Sequence, residues 1–275
     1  MIRSFMDTPT PFPLALALSL VLAPLLAGTP VHAADAVAAT MSAATADVMA
    51  EPAVDAVEAH ELQPFVATYD AWNAGKPAGT ASMAQARVDG HWRVDLDITG
   101  NRGLARWIRL DIDQGTVFDE VDGAYRPLRQ DTRRKALFMG RQVEGVYDWQ
   151  AGIARWSGDI KPERRKPVPL QHGDMSGLLI NLAIVRDAAP GRQLGYRFVD
   201  GGRVRQHEYA VAATPEYIEV DGLSYEALRV SRTNGGNDET IVWVARGVPT
   251  PVRILQRENG EDAIDLRLVA YEGAN

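Results

Sequence analysis

The sequence predicts a mainly β protein: an antiparallel, open or incomplete β-barrel, in effect a curved sheet, with one buried helix. Three features of the 275 residues carry that reading. Apolar and polar residues alternate in short runs between Phe65 and Tyr271, Gly-containing turns separate the runs, and one segment, Asp174–Asp187, departs from the alternation. The pattern is clearest at His91–Ile98, where Trp92, Val94, Leu96 and Ile98 fall on one side and His91, Arg93, Asp95 and Asp97 on the other. A period of two is the side-chain period of a strand with one dry face and one wet face.

The elements follow in order from the N-terminus. Leu14–Leu26 is a run of thirteen apolar or small residues, preceded by Arg3 and followed by Val31-His32-Ala33. The run is shorter than the roughly 20 residues a membrane-spanning helix needs, and its flanks suit a secretory leader. Residues 1–33 are therefore expected to be a signal peptide cleaved after Ala33, with Ala36 as the second choice. Residues 34–61 carry six acids, no Lys or Arg and no aromatic residue. Such a segment buries too little apolar surface to offset its ordering entropy, so a flexible acidic arm is expected. Residues 62–275 read as one β-rich domain. The mature protein is expected to be periplasmic and not membrane-spanning.

Asp89-Gly90, Asp122-Gly123, Asp221-Gly222 and Asn259-Gly260 are hairpin signals, because tight hairpins need positive φ. The runs between these and similar turns give up to fourteen strands, at Phe65–Trp72, Thr80–Val88, His91–Ile98, Thr116–Val121, Arg129–Phe138, Arg141–Trp149, Ile153–Ser157, Leu194–Val199, Arg203–Ala212, Tyr217–Val220, Leu223–Arg232, Thr240–Arg246, Pro251–Arg257 and Ala263–Tyr271. Short turns imply antiparallel pairing. Gly103–Arg109 reads as a short helix or an irregular crossing. Asp174–Asp187 has helical length, Asp174 as N-cap, Arg186 in the last turn and Pro190-Gly191 as a stop. Its apolar residues cover most of its circumference, which places it inside the protein.

Composition excludes more than it assigns. Net charge is −7, of which 34–61 supplies −6 and 1–33 nothing, leaving −1 for 62–275. A nearly neutral domain argues against nucleic acid as a partner. There is no Cys, hence no disulfide, thiolate metal site or thiol nucleophile. His172, Asp174 and Ser176 lie close in sequence, and His207 lies on a strand, but proximity in sequence does not make a triad or a metal site. No catalytic residue, metal or cofactor is assigned; a hydrolase using Asp174, His172 or His207 is the least favoured reading. Arg126, Arg129, Arg133, Arg134, Lys135 and Arg141 against Asp131 make a local +5. This segment is either a basic surface for an envelope partner or a solvated strand face, the second favoured about two to one.

Five stretches together resemble the exported bacterial family called domain of unknown function 3108. They are Pro64–Tyr69 followed by Gly75 and Gly79, Tyr125-Arg126-Pro127-Leu128, Gln171–Leu178, Thr240–Trp243 and Pro251–Ile254, in register from Pro64 to Tyr271. The resemblance implies an envelope-associated β protein and supplies no catalytic residue. The functional expectation is a non-catalytic protein holding an apolar or amphipathic, lipid-like ligand in the concave face of the sheet, with Asp174, Trp243 and Arg253 as candidate contacts. The alternative is an interaction or scaffold module using the basic segment.

Overall fold

A computed structural model describes residues 62–102, 111–136 and 139–273. The expected leader and arm, and the crossing at 103–109, lie outside the described residues. Among the described residues, sixteen strands form one sheet. The first eight are β1 (Phe65–Asn73), β2 (Lys76–Val88), β3 (His91–Thr99), β4 (Asp111–Val121), β5 (Ala124–Ala136), β6 (Met139–Asp148), β7 (Ile153–Gly158) and β8 (Val168–Pro169). Then come β9 (Asp174–Met175), the helix α1 (Gly177–Asp187), β10 (Gln193–Asp200), β11 (Arg203–Val211), β12 (Glu216–Val220), β13 (Leu223–Arg232), β14 (Asp238–Ala245), β15 (Arg253–Glu258) and β16 (Glu261–Gly273).

The order is β8-β7-β6-β5-β4-β3-β2-β1-β16-β15-β14-β13-β11-β10-β9, with β12 paired to β13 alone. Every pairing is antiparallel except the short β9–β10 contact. Two meanders are thus joined where β1 meets β16. The expected mainly β, open curved architecture is what the chain adopts, and its last strand on each side is only two residues long. Short terminal strands leave little unpaired backbone to recruit another chain.

The Asx-Gly pairs form the hairpins they signal: Asp89 and Gly90 have φ of 52° and 85°, and Asn259 and Gly260 have 53° and 83°. Two consecutive left-handed residues match the twist of the strands they join. Strand boundaries differ from the sequence reading at β5. That strand begins at Ala124, and it tolerates Pro127 because the β4–β5 register slips between Val117 and Phe118, leaving Phe118 opposite Pro127. A bulge is where a sheet accepts a proline.

α1 packs against β3, β4 and β5 on one side and β10 on the other. In the sheet, β2, β1, β16, β15, β14, β13 and β11 lie between β3 and β10. One helix can touch both only if the sheet curls round it. Leu178, Leu179, Ile180, Leu182, Ala183 and Ile184 are all buried, as the all-round apolar pattern requires. Elsewhere the interior is filled by Tyr69, Met83, Val94, Leu96, Phe118 and Leu268.

The helix is shorter than expected and differently capped. It starts at Gly177, and Ser176 is the N-cap, its hydroxyl accepting from the Leu179 amide at 3.4 Å. Asp174 is not the cap; it belongs to β9, where it lies opposite Arg197 of β10.

Candidate functional site

The two ends of α1 are chemically different. At the N-terminal end, polar groups from both walls of the curled sheet meet and satisfy one another. Asp174 has no solvent exposure. One of its oxygens accepts from the Arg197 guanidinium and the other from the Gln171 amide. Ser176 also bonds Thr116 of β4, oxygen to oxygen at 2.9 Å. The Tyr147 hydroxyl of β6 lies 2.6 Å from the Val199 carbonyl of β10 and 3.1 Å from Gln130 Oε1. Trp156 Nε1 donates to the same Gln130 oxygen at 3.3 Å. The Gln130 amide nitrogen is then free to donate to Asp200, which also accepts from the Gly177 backbone N–H.

These bonds join the two ends of the sheet without a backbone ladder. Packed around them are Tyr147, Ala154, Trp156, Val168 and Val199. Asp200 keeps part of its surface in solvent, yet its carboxyl is desolvated enough to be pushed up to about 6. Gln130, the Gly177 N–H and Arg134 only partly offset the burial. Beside this region His207 stacks on Phe198, with centroids 4.7 Å apart and planes 7° from parallel. Burial, then Arg232 and Arg205, lower its pKa to about 4, so the ring is neutral at physiological pH. Its Nε2 has no hydrogen-bond partner among the described residues.

At the C-terminal end of α1 the sheet does not close. A cleft of about 530 Å³ opens there. Leu182 and Val185 of α1 form one wall, with Tyr125 at the start of β5 and Val248 and Pro249 from the β14–β15 loop. Leu62 to Phe65, Gln85, Tyr271 and Gly273 complete it, where β1 begins and β16 ends. None of the described residues that line it is charged. Gln85 is 3% exposed. Its amide nitrogen donates to the Gln63 carbonyl at 2.9 Å, which fixes the side chain, and its Oε1 has no hydrogen-bond partner among the described residues. An orphaned buried acceptor costs about 1–3 kcal/mol. Arg186 stands near, 4.4 Å over the Tyr125 ring, but Asp187 holds its guanidinium at 2.7 and 3.1 Å. A second, polar cleft of about 400 Å³ lies between the β2–β3 and β4–β5 turns, lined by Arg87, Trp92, Asp119, Glu120 and Asp122 among others.

The candidate contacts expected from sequence are not brought together. Asp174 is locked to Arg197. Trp243 donates its indole N–H to Glu216, and Arg253 lies 4.9 Å over its ring. Arg253 in turn grips Asp265 at 2.8 and 2.9 Å, and Arg267 grips the same carboxylate at 2.8 Å while covering Trp72. That row knits β14, β15, β16 and β1, and its groups are used on each other. The basic segment is not one surface either. Strand alternation places Arg129, Arg133 and Lys135 on one face of β5 and Arg134 on the other, in the field of Asp200. Across the ladder Arg133 stands opposite Asp113 and Lys135 opposite Asp111, and Arg141 faces Arg134 from β6. Arg126 leans toward Asp119 at 3.6 Å. Like and unlike charges are thus interleaved, and opposite-sign neighbours across strands stabilise a sheet by about 0.2–1 kcal/mol each.

Of the residues that reasoning from sequence missed, Gln85 had a readable signal: Ala81, Met83 and Gln85 point inward in register, and Gln85 is the polar member. Asp200 carried none, since Asp200-Gly201-Gly202 reads only as a turn. Among the described residues no group of three or more His, Asp or Glu is arranged to hold a metal ion. No helix among them is long and apolar enough to cross a membrane.

A family model described as "protein of unknown function (DUF3108)" matches residues 65–267. The chain belongs to the DUF3108 family. No curated protein matches its sequence. The fold is similar to a crystal structure described as a beta-barrel-like protein of domain of unknown function DUF1849 from Brucella abortus. The two share 10% identity over 78% of this chain and 99% of that one, with a TM-score of 0.48. A DUF1089-family protein from Pseudomonas aeruginosa aligns at 12% identity over 66% of this DUF3108 chain and 90% of its own, with a TM-score of 0.35.

Proposed function

We propose that this DUF3108 protein is an exported, non-catalytic envelope protein that binds the apolar part of an amphipathic ligand. The site is the cleft at the C-terminal end of α1 and not the concave face as a whole, which the helix occupies. The observation that carries this reading is the cleft itself: about 530 Å³, walled by Leu62, Phe65, Leu182, Val185 and Val248. That volume lies in the range of about 300–1,000 Å³ usual for small-molecule sites, and its lining mixes apolar side chains with uncharged polar groups. The polar cluster at the other end of α1 supports a structural role there, because its donors and acceptors are committed to one another. Export is supported by the composition of residues 1–33, and N-terminal sequencing of the mature protein should start at Ala34.

The neutral fluorophore N-phenylnaphthylamine tests the binding reading. Its emission should rise saturably with the protein, and Val185→Trp, which fills the cleft from the helix side, should abolish the rise while leaving the circular dichroism unchanged. Saturable binding that Val185→Trp leaves intact, or no binding by the wild-type protein, contradicts the proposal.

A further inference from the structure

We propose that Arg164, Arg205 and Arg232 form a site for a phosphoryl group at the rim of the sheet, beside the β10–β11 turn. The site is separate from the cleft and takes an anion, not the apolar part of an amphiphile. It begins with the alternation of β11. Arg203, Arg205, His207, Tyr209 and Val211 share one face of that strand. His207, Tyr209 and Val211 are buried, while Arg203 and Arg205 are half-buried, so the core gives way to arginine as the strand approaches its turn. Arg232 of β13 stands opposite Tyr209, which places it on the same face. Arg164 comes from a third element, the 3-10 turn Pro162–Arg165.

Two local devices hold the flanking arginines in place. Asn234 Oδ1 accepts from Arg232 Nε and from the Glu208 backbone N–H, both at 3.2 Å, and its Nδ2 donates to the Gln206 carbonyl at 2.9 Å. A neutral side chain thus pins the Arg232 guanidinium to the edge of β11. Gly202, at φ 70°, lets the other segment approach: a Cβ there would lie 2.1 Å from the Arg164 carbonyl oxygen. Burial, then the charges of Arg232 and Arg164, lower the pKa of Arg205. The three guanidiniums therefore raise one another's free energy where water screens them less than in bulk. The acids on these elements are turned to other uses. Glu208 is on the opposite face of β11, Glu163 is exposed, and Asp200, across the ladder from Arg203, accepts from the Gly177 N–H and Gln130.

An anion between the three would relieve their repulsion. A phosphoryl group offers several charged oxygens to planar forks arriving from three elements, which a single carboxylate does not. Arg164, Arg205 and Arg232 are all half-buried, so each is partly desolvated and still open to solvent. Free phosphate and the phosphate of a lipid head group present the same oxygens.

Inorganic phosphate titrated calorimetrically into the intact protein at low salt tests the site. One phosphate should bind per molecule, and Arg232→Gln or Arg164→Gln should weaken it about tenfold. Arg129→Gln, which removes an equal charge from an exposed position on β5, should leave the affinity unchanged. Phosphate should also raise the urea midpoint of the wild type and not that of Arg232→Gln, a difference that holds even if the variant is less stable to begin with. Cosedimentation with phosphatidylcholine vesicles, with and without phosphatidylglycerol, separates the two sources. Pelleting that needs both phosphatidylglycerol and Arg232 assigns a lipid head group; phosphate binding without pelleting assigns the free anion. Binding of either probe that Arg232→Gln and Arg164→Gln leave unchanged, or no binding of either, overturns the proposal. Arg232→Gln should bind N-phenylnaphthylamine as the wild type does, so this site and the cleft stand or fall separately.

Discussion

The two ends of α1 sit in the same sheet and are built from the same kinds of strand, yet one is bonded across by paired polar groups and the other is open. At the N-terminal end Thr116 of β4 bonds the cap Ser176, while Gln130 of β5 and Tyr147 of β6 bond each other and reach Asp200 and the Val199 carbonyl of β10. At the C-terminal end a cleft of about 530 Å³ opens, with no charge among its described lining residues. Paired polar groups fasten a fold, and an open cleft leaves room for a small molecule. Stability should therefore reside at the first end and binding at the second, and substitutions can separate the two.

The largest effect is expected at Asp174. Asp174→Ala strands the Arg197 guanidinium in a largely buried site and should cost about 3 kcal/mol or more in urea unfolding. Probe affinity of the molecules that remain folded should not change. A matching loss of affinity would show that the two ends are coupled.

Two desolvated groups, His207 buried and Asp200 half-buried, give opposite pH dependences at the closed end. His207 titrates near 4 in the fold, against 6.5 for an ordinary histidine. Its contribution to stability is complete above 6.5 and is lost as pH falls through 4, on the order of 3 kcal/mol in all. His207→Phe keeps the stack on Phe198 and should remove that acid loss. Asp200 titrates near 6 against an ordinary 3.8, so the folded state holds its proton more tightly than the unfolded chain. Its contribution is complete below 3.8 and is lost as pH rises through 6, by about 1–2 kcal/mol after allowance for its partial exposure. Urea midpoints at pH 4.5 and 7.5 should show Asp200→Asn gaining on the wild type as pH rises.

Ser176→Ala removes the cap and the partner of Thr116 and should cost about 1–2 kcal/mol by the same assay. The smallest stability effect belongs to the open end. Val185→Trp should shift the urea midpoint by no more than about 0.5 kcal/mol, as for an ordinary half-buried position, while it removes probe binding. If Val185→Trp destabilises as much as Asp174→Ala, the cleft is part of the core and the contrast between the ends is wrong.

Most of the fold was legible because it is written in local signals. The alternation at β3 is strict, and the Asp89-Gly90 and Asn259-Gly260 pairs specify their hairpins by backbone chemistry alone. The buried helix was legible from its lack of a polar face. What could not be read was anything that depends on the sheet's closure. Ser176 displaced Asp174 as the cap because Asp174 is drawn into β9 by Arg197, twenty-odd residues away, a pairing with no sequence mark. The two-residue strands β8 and β9 are too short to show a period. The choice between a basic patch and a solvated strand face at 126–141 stays open from sequence because the facing acids, Asp111 and Asp113, lie on the preceding strand and meet it only through the register. The cleft is assembled from six separate stretches of chain, and only the inward phase of Gln85 hinted at it.

The central claim is that ligand meets the protein at the open end of the helix and nowhere along its closed end. Methyl-resolved NMR of the folded protein titrated with decanol tests it directly. Shifts should concentrate at Leu62, Leu182, Val185 and Val248 and leave Leu178, Leu179 and Val199 unmoved. Shifts centred on Leu178, Leu179 and Val199, or none at any of these methyls at saturating decanol, would contradict it.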